Sequence, residues 1–208
     1  MPIRILTIDD HPMLREGIAA MLSADPDLDV VGGAPDAESG LLAFRDLLPD
    51  ITLMDLQMPG MGGLPGMRAL RGEYPCARVI VLTTFRGDAN AREAMAAGAA
   101  GYLLKSALRA ELVNCIRKVH AGGRHVSAEV CADIAIHIGD EPLTLRERRI
   151  LELLAEGLEN KRIGSRLDIS PETVKSHLTR IFDKLGAHNR TEAIRIAIRR
   201  GILASAAP

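Results

Sequence analysis

The strongest constraint on the fold is an alternation that repeats five times in the first 120 residues. Short β-rich runs at 3–8, 28–32, 51–54, 79–83 and 101–104 are separated by stretches with helical spacing. In the first stretch Met13, Leu14, Gly17, Ile18, Met21 and Leu22 recur as one buried helix face. Similar stretches follow at about 37–47, 63–73, 88–97 and 107–121. Strand–helix alternation of this kind predicts an α/β doubly wound five-stranded parallel sheet with helices on both faces. Val79-Ile80-Val81-Leu82 is continuously apolar, as a strand covered on both faces should be.

After residue 120 the alternation stops. Ala121-Gly122-Gly123 ends a helix, 128–138 reads as a short helix, and Gly139-Asp140-Glu141-Pro142 is rich in turn formers. Helical patterns then follow at about 144–156, 160–167, 171–184 and 191–200, with short connections that imply a small all-α domain. The expected division is 1–121, a linker over 122–142 containing the short helix, and 143–208. Charge follows the same division. Residues 1–120 carry 12 Lys/Arg against 15 Asp/Glu, whereas 143–208 carry 13 against 8. The basic part is the one suited to nucleic acid. With no Trp, 2 Tyr and 3 Phe, base stacking on aromatics is disfavoured as its mode of recognition. The 3 cysteines stand at unrelated spacings, which disfavours disulfides and zinc and fits a reducing cytoplasm. No apolar run is long enough to span a bilayer, and the start lacks a signal-peptide layout, so no membrane partner is expected.

In an open parallel sheet, ligands sit beyond the carboxyl ends of the strands. Strand 1 ends in Asp9-Asp10, strand 3 in Asp55, strand 4 in Thr83-Thr84 and strand 5 in Lys105. Each fragment alone reads as a cap or a turn. Together they set three carboxylates, a hydroxyl and an ammonium on one rim. Oxygen donors of this kind suit Mg²⁺. One carboxylate can then attack phosphorus, with Lys105 pairing with the phosphoryl group and Thr83 donating a hydrogen bond to it.

Ile8-Asp9-Asp10-His11, Met54-Asp55-Leu56-Gln57-Met58-Pro59-Gly60-Met61, Val81-Leu82-Thr83-Thr84 and Gly98-Ala99-Ala100-Gly101-Tyr102-Leu103-Leu104-Lys105 closely resemble the motifs of two-component receiver domains. The resemblance spans about 120 residues and implies a flavodoxin-like receiver. It makes Asp55 the phospho-acceptor. Asp9, Asp10, Asp55 and the backbone carbonyl of Gln57 become Mg²⁺ ligands, Asp10 more directly than Asp9. Thr83 becomes the switch hydroxyl, Tyr102 the rotating aromatic and Lys105 the phosphoryl clamp. Two departures stand out: Gly62 replaces the family's usual acid, and Pro65-Gly66 falls early in the third helix. Gln57 and Phe85 flank the approach of a hydrolytic water and are expected to slow loss of the phosphoryl group. His11 is expected to be a helix-start residue.

In the basic part, Ser170-Pro171-Glu172-Thr173 opens a helix with an N-cap Ser, Pro at the first position and an acidic first turn. Val174, Leu178, Ile181 and Leu185 share its inner face, so Lys175, Ser176 and Thr179 face outward with Arg180 and Lys184 beside them. By shape alone, a helix–turn–helix and an ordinary helical hairpin with a solvated face fit equally. The runs Leu143-Thr144-Leu145-Arg146-Glu147, Ile169-Ser170-Pro171-Glu172-Thr173-Val174-Lys175-Ser176-His177 and Lys184-Leu185-Gly186-Ala187-His188-Asn189-Arg190-Thr191-Glu192-Ala193 closely resemble the LuxR-type helix–turn–helix. That resemblance makes Lys175, Ser176 and Thr179 base-contact candidates and Lys161, Arg180, Lys184 and Arg190 backbone-contact candidates. It places Ala193, Ile194, Ala197 and Ile198 on a dimerisation helix, although packing on their own domain is the alternative. Glu159, Arg162 and Gly164 replace the family's usual Ser, Glu and Ala.

Taken together, the chain resembles a response regulator of the NarL/FixJ type. The resemblance implies a phosphorylation-controlled, DNA-binding transcriptional regulator. Its partners would be a sensor histidine kinase, double-stranded promoter DNA, RNA polymerase and a second copy of the chain. Its only catalysis would be its own phosphoryl transfer and dephosphorylation. Phosphorylation at Asp55 would alter interdomain contacts and dimerisation. An Asp-nucleophile phosphohydrolase is disfavoured, because the second acid that protonates the leaving group would stand where Gln57 is.

Overall fold

Residues 1–84 and 87–203 are described by the computed structural model of the chain. They divide into two units. The first holds residues 1–84 with 91–131, and the second holds 87–90 with 132–203.

In the first unit the apolar runs become strands β1 (Ile3–Ile8), β2 (Leu28–Ala34), β3 (Ile51–Asp55), β4 (Val79–Thr83) and β5 (Gly101–Leu104). All pair in parallel, in the order β2-β1-β3-β4-β5, so β3 lies between β1 and β4. Every residue of β3, β4 and β5 is buried, as expected of largely apolar strands covered on both faces. The connecting helices are α1 (Pro12–Leu22), α2 (Ala37–Leu47), α3 (Gly63–Glu73), α4 (Asp88–Ala96) and α5 (Leu108–His120). Ile18 and Leu22 of α1 and Leu112, Cys115, Ile116 and Val119 of α5 pack with Ile5, Ile51, Leu53, Ile80, Leu82 and Leu103 of the strands in one core.

Two differences from the sequence reading have local causes. Strand β2 runs on past Gly32 to Ala34 because pairing with β1 continues, Thr7 against Gly33 and Ile8 against Ala34. A side chain at Gly32 would meet Leu47 of α2 at 2.6 Å, so the glycine serves close packing there. A sixth strand, β6 (His125–Val126), also pairs in parallel with β5, inside the segment expected to be linker. Two residues carry no periodic signal.

The start of α3 is tightly determined. Gly62 adopts φ +74°, and a β-carbon on Gly63 would lie 1.9 Å from the Asp55 carbonyl oxygen and 2.7 Å from the Leu56 Cα. These obstacles are backbone and cannot swing aside. Gly63→Ala is therefore expected to cost roughly 1–3 kcal/mol or more. Gly72→Ala, in the same helix with nothing within 4 Å of the added carbon, should instead stabilise by up to about 1 kcal/mol. Urea midpoints of the two variants against the parent test this. Equal midpoints for Gly63→Ala and the parent would refute the constraint.

Beyond β6 come α6 (Ala128–Ile136), α7 (Leu145–Ala155), α8 (Asn160–Leu167), α9 (Pro171–Leu185) and α10 (Arg190–Arg199). Three of these helices start on side-chain caps, of which the sequence reading proposes Ser170. Ser170 accepts from the Thr173 N–H at 3.1 Å, Asn189 from the Glu192 N–H at 2.9 Å, and Thr144 and Glu147 form a reciprocal capping box. The buried residues of α9 are Val174, Leu178, Ile181 and Leu185. They close on Ile150, Leu151, Leu154 and Ile163 in the core of the second unit.

Candidate functional site

The parallel arrangement brings the strand ends of the first unit to one rim. Asp55 is the last residue of β3, Asp9 follows β1, Thr83 ends β4 and Lys105 follows β5. Asp9, Asp55 and Thr83 are almost wholly buried. The Lys105 ammonium lies 2.7 Å from Asp9 Oδ2 and 2.8 Å from Asp55 Oδ2, drawing three strands together through one charge. Burial pushes the Asp55 carboxyl above its ordinary pKa. The hydrogen bonds from Lys105 and from the Gln57 N–H pull it back only in part, and the Asp9 charge adds to the rise. For Lys105, burial favours the neutral amine, but hydrogen bonds to Asp55 and Asp9 outweigh it and its pKa is raised.

Asp10 is half-buried, with its Oδ1 2.7 Å from His11 Nδ1. Single ligand atoms of Asp9, Asp10, His11 and Asp55 all lie within 4.8 Å of one another. Three carboxylates around a position that already attracts an ammonium suit a hard divalent cation. His11 stands at the N-cap of α1 without a side-chain capping bond, and its ring sits beside the acid pair instead. Its place directly after Asp9-Asp10 was the available signal for that proximity. Gln57 is exposed at the mouth of the site, while Phe85 lies outside the described residues. The Tyr102 ring is fully buried with Thr83 as its polar neighbour. Burial drives its phenol well above the ordinary pKa.

In the second unit, Lys161 on α8 and Lys175, Ser176, Thr179 and Arg180 on α9 are exposed. The Ser176 and Thr179 hydroxyls donate back to the Glu172 and Lys175 carbonyls of their own helix, leaving their lone pairs outward. Arg162 and Arg166 join Lys161 on the exposed side of α8, although Arg166 is paired with Glu156 at 2.9 Å. Sequence reasoning passed over Arg162 as a cationic contributor. Glu159 caps α8 without a side-chain bond, and Gly164 admits the Ile169 carbonyl where a β-carbon would stand 2.6 Å away.

Two cation candidates face inward, and two alanines take the own-domain packing that was the alternative. Lys184 is turned inward to Glu147 at 2.9 Å and Glu141 at 3.0 Å, and its ammonium also donates to the Pro142 carbonyl at 3.3 Å. Arg190 donates to the Leu154 and Leu158 carbonyls at 2.7 and 2.9 Å, closing the end of α7. These two cations hold the unit together and do not stand free on its surface. Ala193 and Ala197 are 0% exposed within the unit's own core, because their i, i+4 spacing points both inward. Ile194 and Ile198 pack against that core and remain half-buried.

Comparison with known proteins bears on both units. Residues 5–117 match the response regulator receiver domain, and residues 141–197 match the luxR family of bacterial regulatory proteins. The transcriptional regulatory protein LiaR of Bacillus subtilis (strain 168) is 41% identical over 199 residues, covering 92% of this chain and 94% of its own length. The nitrate/nitrite response regulator protein NarL of Escherichia coli (strain K12) is 38% identical over 201 residues, covering 92% and 93%. The crystal structure of the response regulator ChrA, from a heme-sensing two-component system, aligns at 35% identity with a TM-score of 0.58, over 97% of this chain and 99% of that one. Among the described residues no helix is long and apolar enough to cross a membrane.

Proposed function

Because the chain belongs to the response regulators that join a receiver domain to a LuxR-type DNA-binding domain, phosphorylation-controlled regulators of transcription, we propose that Asp55 is its phospho-acceptor and a sensor histidine kinase its donor. The observation that carries this reading is the Asp9–Lys105–Asp55 arrangement across the ends of β1, β3 and β5. We divide the chain into a receiver over 1–121, a linker over 122–142 and a DNA-binding domain over 143–208.

Asp9, Asp10 and Asp55, with the Gln57 carbonyl, would hold Mg²⁺, which when bound neutralises the carboxylates and the incoming phosphoryl oxygens. An Asp55 carboxylate oxygen attacks phosphorus. The bond from phosphorus to the donor breaks, and its electron pair leaves with the donor. Lys105 then exchanges its contact with the bare carboxylate for one with a phosphoryl oxygen, which it can do because its ammonium is already within 2.8 Å of the acceptor. The Thr83 hydroxyl donates to another oxygen. Tyr102, packed beside Thr83, carries that movement to the surface as a shift between two pre-existing states.

In the DNA-binding domain, α9 is the recognition helix. Lys175, Ser176 and Thr179 read base edges, while Lys161 and Arg180 meet phosphates. A second copy pairs through the exposed parts of Ile194 and Ile198, matching a two-fold DNA site. RNA polymerase is the partner at the promoter, and the cytoplasm, where kinase output and DNA meet, is the compartment.

The test is duplex-DNA binding before and after treatment with Mg²⁺ and a small phosphodonor, measured by fluorescence anisotropy across a salt series. Tighter binding after treatment, with affinity falling steeply as salt rises, is expected. Identical isotherms for the two forms would reject phosphorylation control in this chain.

A further inference from the structure

The loop between β3 and α3 carries Gln57, whose N–H already hydrogen-bonds the Asp55 carboxylate. Its far end has no side-chain cap: Gly62 occupies the N-cap of α3 and offers none. The tether comes from another element. Glu38, in the first turn of α2, accepts the Met61 N–H on Oε1 at 3.0 Å, across 23 positions of sequence. The same carboxylate lies over Gly60. A β-carbon there would stand 3.0 Å from Oε1 and 3.3 Å from Oε2, and Gly60 holds φ +77°. Gly60 therefore supplies both the conformation and the room that this contact requires.

The anchor itself is firm. Asp36 caps α2 by accepting the Ser39 N–H at 2.7 Å and its hydroxyl at 2.6 Å. Next along the helix, Ala37 is fully buried against Gly66 of α3, where a β-carbon would lie only 2.6 Å from the Ala37 Cβ. The first turn of α2 thus braces both the β3–α3 loop, through Glu38, and the start of α3, through Ala37. Gly62 and Pro65-Gly66, which depart from the receiver pattern, are the positions where this brace takes over.

We propose that Glu38 is a positioning residue for the phosphoryl-transfer site, fixing the β3–α3 loop through Met61 so that the Gln57 main chain is presented beside Asp55. The proposal rests on Asp55 and the Gln57 carbonyl serving as Mg²⁺ ligands. Charge and hydrogen bonding separate cleanly here, because Glu38→Gln keeps an oxygen acceptor and removes the charge, whereas Glu38→Ala removes both.

Mg²⁺ alone, titrated calorimetrically into the full-length parent and both variants, reads the effect without any phosphodonor. The Met61 amide exchange rate reads the tether itself. Glu38→Ala is expected to weaken Mg²⁺ binding about threefold to tenfold, the worth of one hydrogen bond, and to speed Met61 exchange. Glu38→Gln should stay near the parent in both. Parental Mg²⁺ affinity in Glu38→Ala overturns the proposal, as does a loss in Glu38→Gln equal to that in Glu38→Ala, which would mark a bare charge effect. A parent that binds no Mg²⁺ would strike down the metal-site reading beneath it and this proposal together. Thermal melts of the variants above the titration temperature ensure that folded protein is compared.

Discussion

Incubated with Mg²⁺ and acetyl phosphate, the parent chain gains the mass of one phosphoryl group, and Asp55→Asn gains none. The loss is expected to be complete because the substitution removes the nucleophile. An amide oxygen at the same place carries no negative charge to form the bond to phosphorus. Asp9 keeps a different role in this reading, as a metal ligand whose two oxygens face the His11 N–H at 2.9 Å and the Lys105 ammonium at 2.7 Å. Asp10 is more open, but its Oδ1 is 2.7 Å from the His11 ring, and the Lys105 ammonium that would receive the phosphoryl group touches Asp9 and Asp55. Lys105→Ala should give a different result. The acceptor remains, so mass is still gained, but about a hundredfold to a thousandfold more slowly, the usual consequence of deleting one preorganised charge contact. Intact-mass time courses distinguish the two variants. Equal uptake by Asp55→Asn and the parent would move the acceptor elsewhere, and equal rates for Lys105→Ala and the parent would remove the clamp.

The site in the first unit is legible in sequence because a topological rule does the work. Once the β-rich runs are read as parallel strands, the residue following each one must reach the same rim, and Asp9, Asp55, Thr83 and Lys105 need no further information to be brought together. Residue type then supplies the chemistry. The core face of α9 is legible for a similar reason: Val174, Leu178, Ile181 and Leu185 are set by helical period alone. Long-range pairings of flexible side chains are not legible in this way. Period places Lys184 at the edge of the outer face of α9, yet Glu147 lies 37 residues earlier in sequence and captures it. Glu147 can do so because, although its burial opposes the charged form, its hydrogen bonds to Thr144 and Lys184 hold its pKa below the ordinary value. Arg190 likewise finds carbonyls at the end of α7. Glu38 finds Met61, and β6 finds β5, through proximity that only the assembled fold creates.

That difference between free and captured cations yields the second large effect. Lys175→Ala is expected to weaken binding to the cognate duplex by about 1–3 kcal/mol and to narrow the gap between cognate and unrelated sequences, since its side chain is exposed on the amino-terminal half of α9. Arg180→Ala should weaken binding to every duplex alike and lower the slope of log affinity against log salt by about one, as expected when a single cation no longer neutralises its phosphate. Lys184→Ala removes the same formal charge but should leave that slope unchanged, because its ammonium is occupied by Glu147 and Glu141. Its effect should appear in the melting temperature of the DNA-binding domain, since Glu147 would lose its cation while almost wholly buried. The pair Arg180→Ala and Lys184→Ala therefore forms an internal control of equal charge. If both lower the salt slope equally, the inward placement of Lys184 does not persist on DNA, and the domain repacks around α9 when it binds. If only Arg180→Ala does, the DNA-binding face is the one already formed in the free protein.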